Sequence, residues 1–149
     1  MDKSPIYLQL IADAPIPALP RLQAFSAVII SEAEVSAEWQ NKVSAKLIAA
    51  GCRFMLAWGN QASSWSDAVD SALLAAHDFG KIAPHDRTYT TWHDNESLDE
   101  VFAFCKHSVE HPWGRIDEVL LLHIGAEDKS IEMMGRYQMV GVGDVGQTP

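Results

Sequence analysis

The segment from residue 53 to residue 70, RFMLAWGNQASSWSDAVD, constrains the fold more than any other part of the chain. It begins with a short apolar run, residues 54–58, whose length is typical of a buried strand. A Gly-Asn pair follows, and this pair favours a tight turn. Ser64 and Asp67 then have the spacing of a capping box, and Trp65 opens an apolar pattern of helical period. The segment therefore predicts a strand, a turn and a helix.

The same plan recurs between residues 88 and 100. The run TYTTWH predicts a strand, a polar turn follows it, and Ser97 and Glu100 have the spacing of a second capping box. Gly51 is placed to end the helix that precedes the first of these strands. Gly80 is placed to end the helix that follows that strand. Further strands are predicted at residues 6–12, 25–31 and 118–124, and further helices from Ser31 or Ser36 to Ala50 and over residues 129–139.

Alternating strands and helices predict an α/β fold with a mainly parallel sheet covered on both faces. We expect one three-layer α/β/α domain over residues 1–140, with about five strands in a Rossmann-like or flavodoxin-like arrangement. Three prolines between residues 13 and 20 favour an extended connection after the first strand. We therefore expect that strand at an edge, and its pairing could be antiparallel. Residues 141–149 are glycine-rich and predict a loose tail.

Charge, cysteine content and hydropathy indicate which partners and which cellular location to expect. Twenty acidic residues against eleven basic ones give a net charge of −9, which disfavours nucleic acid and favours a basic protein partner, although acidity can also serve solubility alone. Cys52 and Cys105 are expected to be buried free thiols. The chain has no apolar run of about 20 residues and no signal-like start, so we expect a cytoplasmic protein and no membrane partner.

Candidate site residues follow the predicted strands, where open α/β sheets bind ligands. His93 could act as a general base oriented by Asp94 or Glu96, and these three are the catalytic candidates. Two helix N-termini near this edge could hold an anion. Turn formation, capping and core closure explain the same residues without a site. The ligand-binding candidates, centred between the two tryptophans, are Trp58, Asn60, Ser63, Ser64, Trp65, Trp92, Asn95, Ser97 and His123.

We expect neither a metal nor a cofactor. His107 and His111 match the H-x-x-E-H pattern of inverted zinc proteases, but Pro112 follows directly and favours an ended helix. The glycines after residue 140 lack the spacing and context of a dinucleotide fingerprint, and no nucleophile elbow or Walker lysine occurs.

Two blocks resemble an uncharacterised group of small bacterial α/β proteins. The first is RFMLAWG at residues 53–59 with Ser64, Trp65 and Asp67 after it. The second begins with TWH at residues 91–93 and continues through the segments ESL, FCKH and LHI. This resemblance implies the same layered fold and a bacterial cytosolic setting. It implies no activity.

Two functional hypotheses remain. The first is a non-catalytic acidic module that binds a basic protein, for example an immunity protein that neutralises a basic toxin. The alternative is a small enzyme or ligand-binding protein that uses the strand ends on an anionic small molecule, through His93, Asp94, Glu96 and His123. The oligomeric state cannot be predicted from these patterns.

Overall fold

The computed structural model describes residues 4–20 and 22–140, which contain five strands and four α-helices. The strands and helices alternate from β2 onward. Each helix except α4 leads into a further strand, as the sequence pattern predicted. The strands are β1 (Ile6–Leu10), β2 (Phe25–Ser31), β3 (Cys52–Gly59), β4 (Tyr89–His93) and β5 (Glu118–Ile124). The helices are α1 (Ala37–Ala50), α2 (Ala62–Ala76), α3 (Leu98–His107) and α4 (Ser130–Met139).

All neighbouring strands are parallel, and their order is β1-β5-β2-β3-β4. The prediction of an α/β fold with a five-stranded parallel sheet is confirmed. The antiparallel option for β1 is wrong, because β1 pairs in parallel with β5, and the connection between Leu10 and Phe25 is long enough for a crossover between parallel strands. Counted from β2, the strands β4-β3-β2-β5 follow the 3-2-1-4 part of the Rossmann order, and β1 lies beside β5.

Helices cover both faces of the sheet, so its central strands are apolar on both sides. All seven residues of β2 are buried, as expected for a strand between two parallel neighbours in a three-layer fold. One core forms where α1 and α2 pack against residues such as Phe25 and Ile29, and the other where α3 and α4 pack against Val28 and Ile30. Alternate residues of β2 thus serve different cores.

The strand order reverses between β2 and β5. From β2 the chain builds outward through β3 and β4, then returns to the other side of β2 as β5. Right-handed crossovers therefore put α1 and α2 on one face and α3 on the other. The carboxyl ends of β2 and β5 lie side by side at this reversal, which is the place where open α/β sheets bind ligands.

The start of α2 differs from the prediction. The helix begins at Ala62 after Gln61, which has a positive φ of 60° and gives no side-chain cap, so the proposed Ser64–Asp67 capping box is wrong. The Gln61 amide instead bonds both the N–H and the C=O of Val35, which fixes the turn. The helix ends at Ala76 and therefore before Gly80.

The other helix ends agree with the sequence pattern. Ser36 caps α1 through the amide of Trp39, and Gly51 ends α1 in the left-handed conformation. Ser97 and Glu100 form the predicted capping box of α3. Local hydrogen bonding thus sets these boundaries.

Both cysteines are buried free thiols, as predicted, and burial raises the pKa of Cys52 and of Cys105 to about 12. None of the helices within residues 4–20 and 22–140 has the length and hydropathy that a bilayer crossing demands. The predicted loose tail, residues 141–149, lies outside the described residues.

Candidate functional site

Four side chains form a continuous hydrogen-bonded chain where the strand order reverses. The Tyr7 hydroxyl oxygen is 2.6 Å from His123 Nδ1, and His123 Nε2 is 2.5 Å from Glu32 Oε1. Lys129 Nζ lies 3.1 Å from the second carboxylate oxygen, Glu32 Oε2. These residues belong to β1, β5, the loop after β2 and the loop before α4. We call the four side chains the switch-point cluster.

The hydrogen bonds of the cluster define one consistent assignment of protons. The Lys129 backbone N–H donates to the Tyr7 oxygen at 3.0 Å, so the Tyr7 hydroxyl donates onward to His123 Nδ1. His123 then carries its proton on Nε2 and donates it to Glu32. Both ring nitrogens of His123, whose exposed fraction is 0%, are thereby satisfied. Leaving such a buried group unpaired costs about 1–3 kcal/mol.

Gly125 leaves the space that the cluster occupies. A Cβ atom at this position would be 2.8 Å from His123 Nε2 and 3.3 Å from Glu32 Oε1. The Gly125 carbonyl also accepts a hydrogen bond of 2.8 Å from Gln9 Nε2 on β1. The backbone that follows β5 must therefore approach the histidine–carboxylate pair closely, and a glycine permits this approach.

Two neighbouring groups of the cluster, Glu32 and Lys129, hold opposite charges. Burial raises the pKa of Glu32, but the hydrogen bonds from His123 and Lys129 and the charge of Lys129 outweigh burial and hold that pKa below the ordinary value of 4.5. The hydrogen bond and charge of Glu32 raise the pKa of Lys129. Burial raises the pKa of Tyr7 despite the hydrogen bond from Lys129. Near neutral pH the cluster therefore presents a carboxylate, an ammonium and a neutral phenol.

Carboxylates are concentrated around this edge of the sheet. We define the acidic rim as residues 11–14, 32–40, 60–65, 94–101 and 125–133, which comprise the turns after the strands and the first turns of the helices. The rim contains one basic residue, Lys129, whereas eight basic and seven acidic residues occupy the rest of the described chain. The eleven rim carboxylates belong to Asp13, Glu32, Glu34, Glu38, Asp94, Glu96, Asp99, Glu100, Glu127, Asp128 and Glu132.

Some rim carboxylates have local structural roles. Asp13 bonds Ser36, Glu100 completes the α3 capping box, and Asp128 accepts from the Ser130 amide. Carboxylates near helix N-termini also interact favourably with the helix dipole. On the next helical turns, Lys42 pairs with Glu38, and Arg136 pairs with Asp99 and Glu132.

Three rim carboxylates lie in loops between a strand and a helix and are exposed. They are Glu34 after β2, Asp94 after β4 and Glu127 after β5. Because they neither cap a helix nor pair with Lys42 or Arg136, helix capping does not account for them. They add exposed negative charge to the surface of the rim.

His93 heads a second, smaller cluster at the edge strand β4. Its Nδ1 is 3.0 Å from Glu96 Oε2 and its Nε2 is 2.8 Å from Thr91 Oγ1. The ring packs edge-on against Phe104, and only 7% of the residue is exposed. The structure thus places Glu96 beside His93 as expected, whereas Asp94 is exposed in the adjoining turn.

His93 and His123 do not share a site. Their strands, β4 and β5, are three positions apart in the sheet. At about 4.8 Å between neighbouring strands, this separation corresponds to about 14 Å. The histidines therefore lie on one rim but cannot act on the same small group.

Trp58 and Trp92 point to opposite faces of the sheet. Trp58 is in register with His93 and packs against the core beneath α3, while its Nε1 donates to the Glu96 carbonyl at 2.8 Å. Trp92 is in register with Ala57, whose side chain belongs to the other core, and 52% of Trp92 is exposed. The two indoles therefore do not face each other across a common site.

The remaining ligand-binding candidates serve helix packing or lie on the surface. Trp65 is fully buried and packs edge-on against Trp39. Ser64 donates to Gln40 Oε1 at 2.9 Å and so ties α2 to α1. The others are exposed in turns or at helix starts: Asn60, Ser63, Asn95 and Ser97.

The zinc-like histidine pattern is interrupted by the end of α3. The helix ends at His107, so His111 lies outside it and contacts the Arg87 carbonyl and the Trp113 amide. Within the described ranges, no three His, Cys, Asp or Glu side chains are grouped to hold a metal ion.

Sequence reasoning identified His123 but not its partners Tyr7, Glu32 and Lys129. Glu32 directly follows a buried strand, which is a recognisable signal for a residue at the carboxyl end of the sheet. Its contact with His123 depends on β2 and β5 being neighbours, and this adjacency is a property of the strand order.

Comparisons with known proteins place the chain in a family. No curated protein and no solved structure matches it. A family model described as "Domain of unknown function (DUF7684)" matches residues 5–139, which include every strand and helix of the structure. The resemblance to an uncharacterised family is thereby confirmed at the level of the family. The chain belongs to the DUF7684 domain family.

Proposed function

We propose that this protein is a non-catalytic binding module whose acidic rim docks a basic protein. The observation that carries the proposal is the separation of charge: eleven carboxylates and one lysine occupy the rim, while charge elsewhere in the described chain is nearly balanced. An immunity protein that neutralises a basic toxin is the kind of module that we favour. A partner with a matching basic patch would associate faster because of electrostatic steering.

The rim is a poor environment for the anionic small molecule of the alternative hypothesis. An anion at the N-terminus of α3 would lie beside Asp94, Asp99 and Glu100. Repulsion between these carboxylates and the anion opposes binding, and it acts against the attraction of the helix dipole. The same carboxylates attract lysine and arginine side chains.

The proposal can be tested by neutralising exposed charge at the rim and away from it. The rim variant combines Glu34→Gln, Asp94→Asn and Glu127→Gln, and the control combines Asp67→Asn, Asp78→Asn and Glu110→Gln. Both variants remove three exposed carboxylates and change the net charge equally. A fluorescein-labelled peptide of ten lysines, measured by anisotropy at about 20 mM salt, serves as the basic probe, because this salt leaves surface charges weakly screened.

We expect the rim variant to weaken binding of the peptide roughly tenfold and the control to weaken it less than threefold. Binding of the wild-type protein should also fall steeply as salt is raised to about 150 mM. Equal weakening by the two variants, or binding that ignores salt, would contradict the proposal.

A further inference from the structure

Lys129 is the basic side chain within the acidic rim, and it contacts the carboxylate at the centre of the switch-point cluster. Its Nζ lies 3.1 Å from Glu32 Oε2, and about one third of each side chain is exposed. Lys129 itself occupies the N-cap position of α4 without a side-chain capping bond. Its ammonium therefore contacts Glu32 without serving as a helix cap.

Glu32 is held in place on its buried side by groups other than the Lys129 side chain. Its Oε1 accepts from His123, which is fully buried and held in turn by Tyr7. The bond from Lys129 to Tyr7 is made by the backbone amide. If the ammonium leaves, the hydrogen bond from His123 still orients the Glu32 carboxylate. Loss of the ion pair itself costs little stability, because ion pairs near the surface are weak.

We propose that Glu32 is the anchoring carboxylate of the rim and binds a lysine ammonium of the basic partner in the place that Lys129 occupies in the free protein. This inference rests on the proposed function, because it assigns the contact by which the rim holds its partner. One oxygen of Glu32 is committed to His123, so a single oxygen faces the surface. A compact ammonium suits a single oxygen, whereas a guanidinium gains most from a carboxylate that can accept with both oxygens.

The test compares two lysines that each pair with a rim glutamate. Lys129→Met removes the ammonium at Glu32, and Lys42→Met removes the ammonium that lies 3.2 Å from Glu38 Oε1. Both variants make the protein more negative by one charge. The probes are labelled peptides of ten lysines and of ten arginines, measured by anisotropy at about 20 mM salt, and melting temperatures confirm that both variants are folded.

We expect Lys129→Met to tighten binding of the lysine peptide roughly three- to tenfold, and Lys42→Met to tighten it less than twofold. The gain from Lys129→Met should be smaller for the arginine peptide. No gain from Lys129→Met, or equal gains from the two lysine variants, would overturn the assignment of Glu32. An equal or larger gain for the arginine peptide would overturn the preference for an ammonium.

These outcomes are distinguishable from failure of the proposed function. If neutralising Glu34, Asp94 and Glu127 weakens binding while the two lysine variants behave alike, the rim is a docking surface without this anchor. If neither peptide binds the wild-type protein, the proposed function itself fails.

Discussion

His123 Nε2 lies 2.5 Å from Glu32 Oε1, although the two residues are 91 positions apart in the chain. The contact joins the carboxyl ends of β5 and β2 at the reversal of the strand order. Open α/β sheets form a ligand-binding crevice at this point. In this protein the side chains of Glu32, His123 and Tyr7 lie at this point and are hydrogen-bonded to one another. We therefore propose that a partner binds on the surface of the rim, where the buried His123 holds Glu32 in position.

Replacing His123 should destabilise the protein strongly. His123→Phe keeps a buried ring but leaves the Tyr7 hydroxyl and one oxygen of Glu32 without their partner, so we expect a loss of roughly 2–4 kcal/mol in the free energy of unfolding. Urea denaturation measures this loss. His85→Phe is the matched control, because the His85 side chain is 59% exposed, and it should change stability by less than about 0.5 kcal/mol. Similar effects of the two substitutions would contradict a structural role for the cluster.

Two glycines provide a matched pair for the space around the cluster. Gly125→Ala places a Cβ atom 2.8 Å from His123 Nε2, whereas at Gly135 in α4 no atom lies within 4 Å of the added Cβ. We expect Gly125→Ala to lower the melting temperature by several degrees through a loss of roughly 1–3 kcal/mol. Gly135→Ala should raise it, because alanine favours a helix over glycine by about 0.5–1 kcal/mol. An unchanged melting temperature for Gly125→Ala would contradict the claim that Gly125 leaves the space that the cluster needs.

The contribution of Glu32 to stability should disappear in acid. The folded-state pKa of Glu32 lies below its ordinary value of 4.5, so folding favours the ionised form. This contribution is fully present above about pH 4.5 and is lost as the pH falls through the lower folded-state pKa. We therefore expect the difference in unfolding free energy between wild type and Glu32→Gln to be larger at pH 7 than at about pH 3. Denaturation in urea at both pH values tests this, and a difference independent of pH would exclude the linkage.

Local hydrogen-bonding signals in the sequence were reliable where the bond lies within one turn. Ser97 and Glu100 cap α3 as their spacing predicted, and Gly51 ends α1. The same spacing misled at Ser64, because Gln61 bonds the backbone of Val35, which is distant in sequence, and starts α2 earlier. A short motif predicts a helix start only when no longer-range contact competes with it.

The candidate site depended on information that the sequence does not carry locally. The alternation of strands and helices predicted a parallel sheet that is covered on both faces. The contact between His123 and Glu32 requires β5 to return beside β2, and the separation of Trp58 from Trp92 requires the register of β3 and β4. A shift of one residue in that register would put Trp92 on the same face of the sheet as Trp58.

The α3 cap offers a further test of local structure. Ser97→Ala removes the side-chain acceptor of the Glu100 amide and should cost about 1 kcal/mol. Ser63→Ala, in the exposed first turn of α2, should cost less than about 0.5 kcal/mol. Thermal or urea unfolding of the two variants measures the difference. An equal or larger loss for Ser63→Ala would contradict the contribution assigned to the Ser97 cap.

The central claim, that the acidic rim is the docking surface, is tested most directly by mapping where a basic ligand binds. Backbone amide resonances of the ¹⁵N-labelled protein can be followed while an unlabelled peptide of ten lysines is added at about 20 mM salt. The account predicts the largest shifts in residues 32–36, 94–97 and 125–129, with little change in residues 77–87 and 108–117. Shifts that are spread evenly over the protein, or centred on the latter two segments, would contradict it.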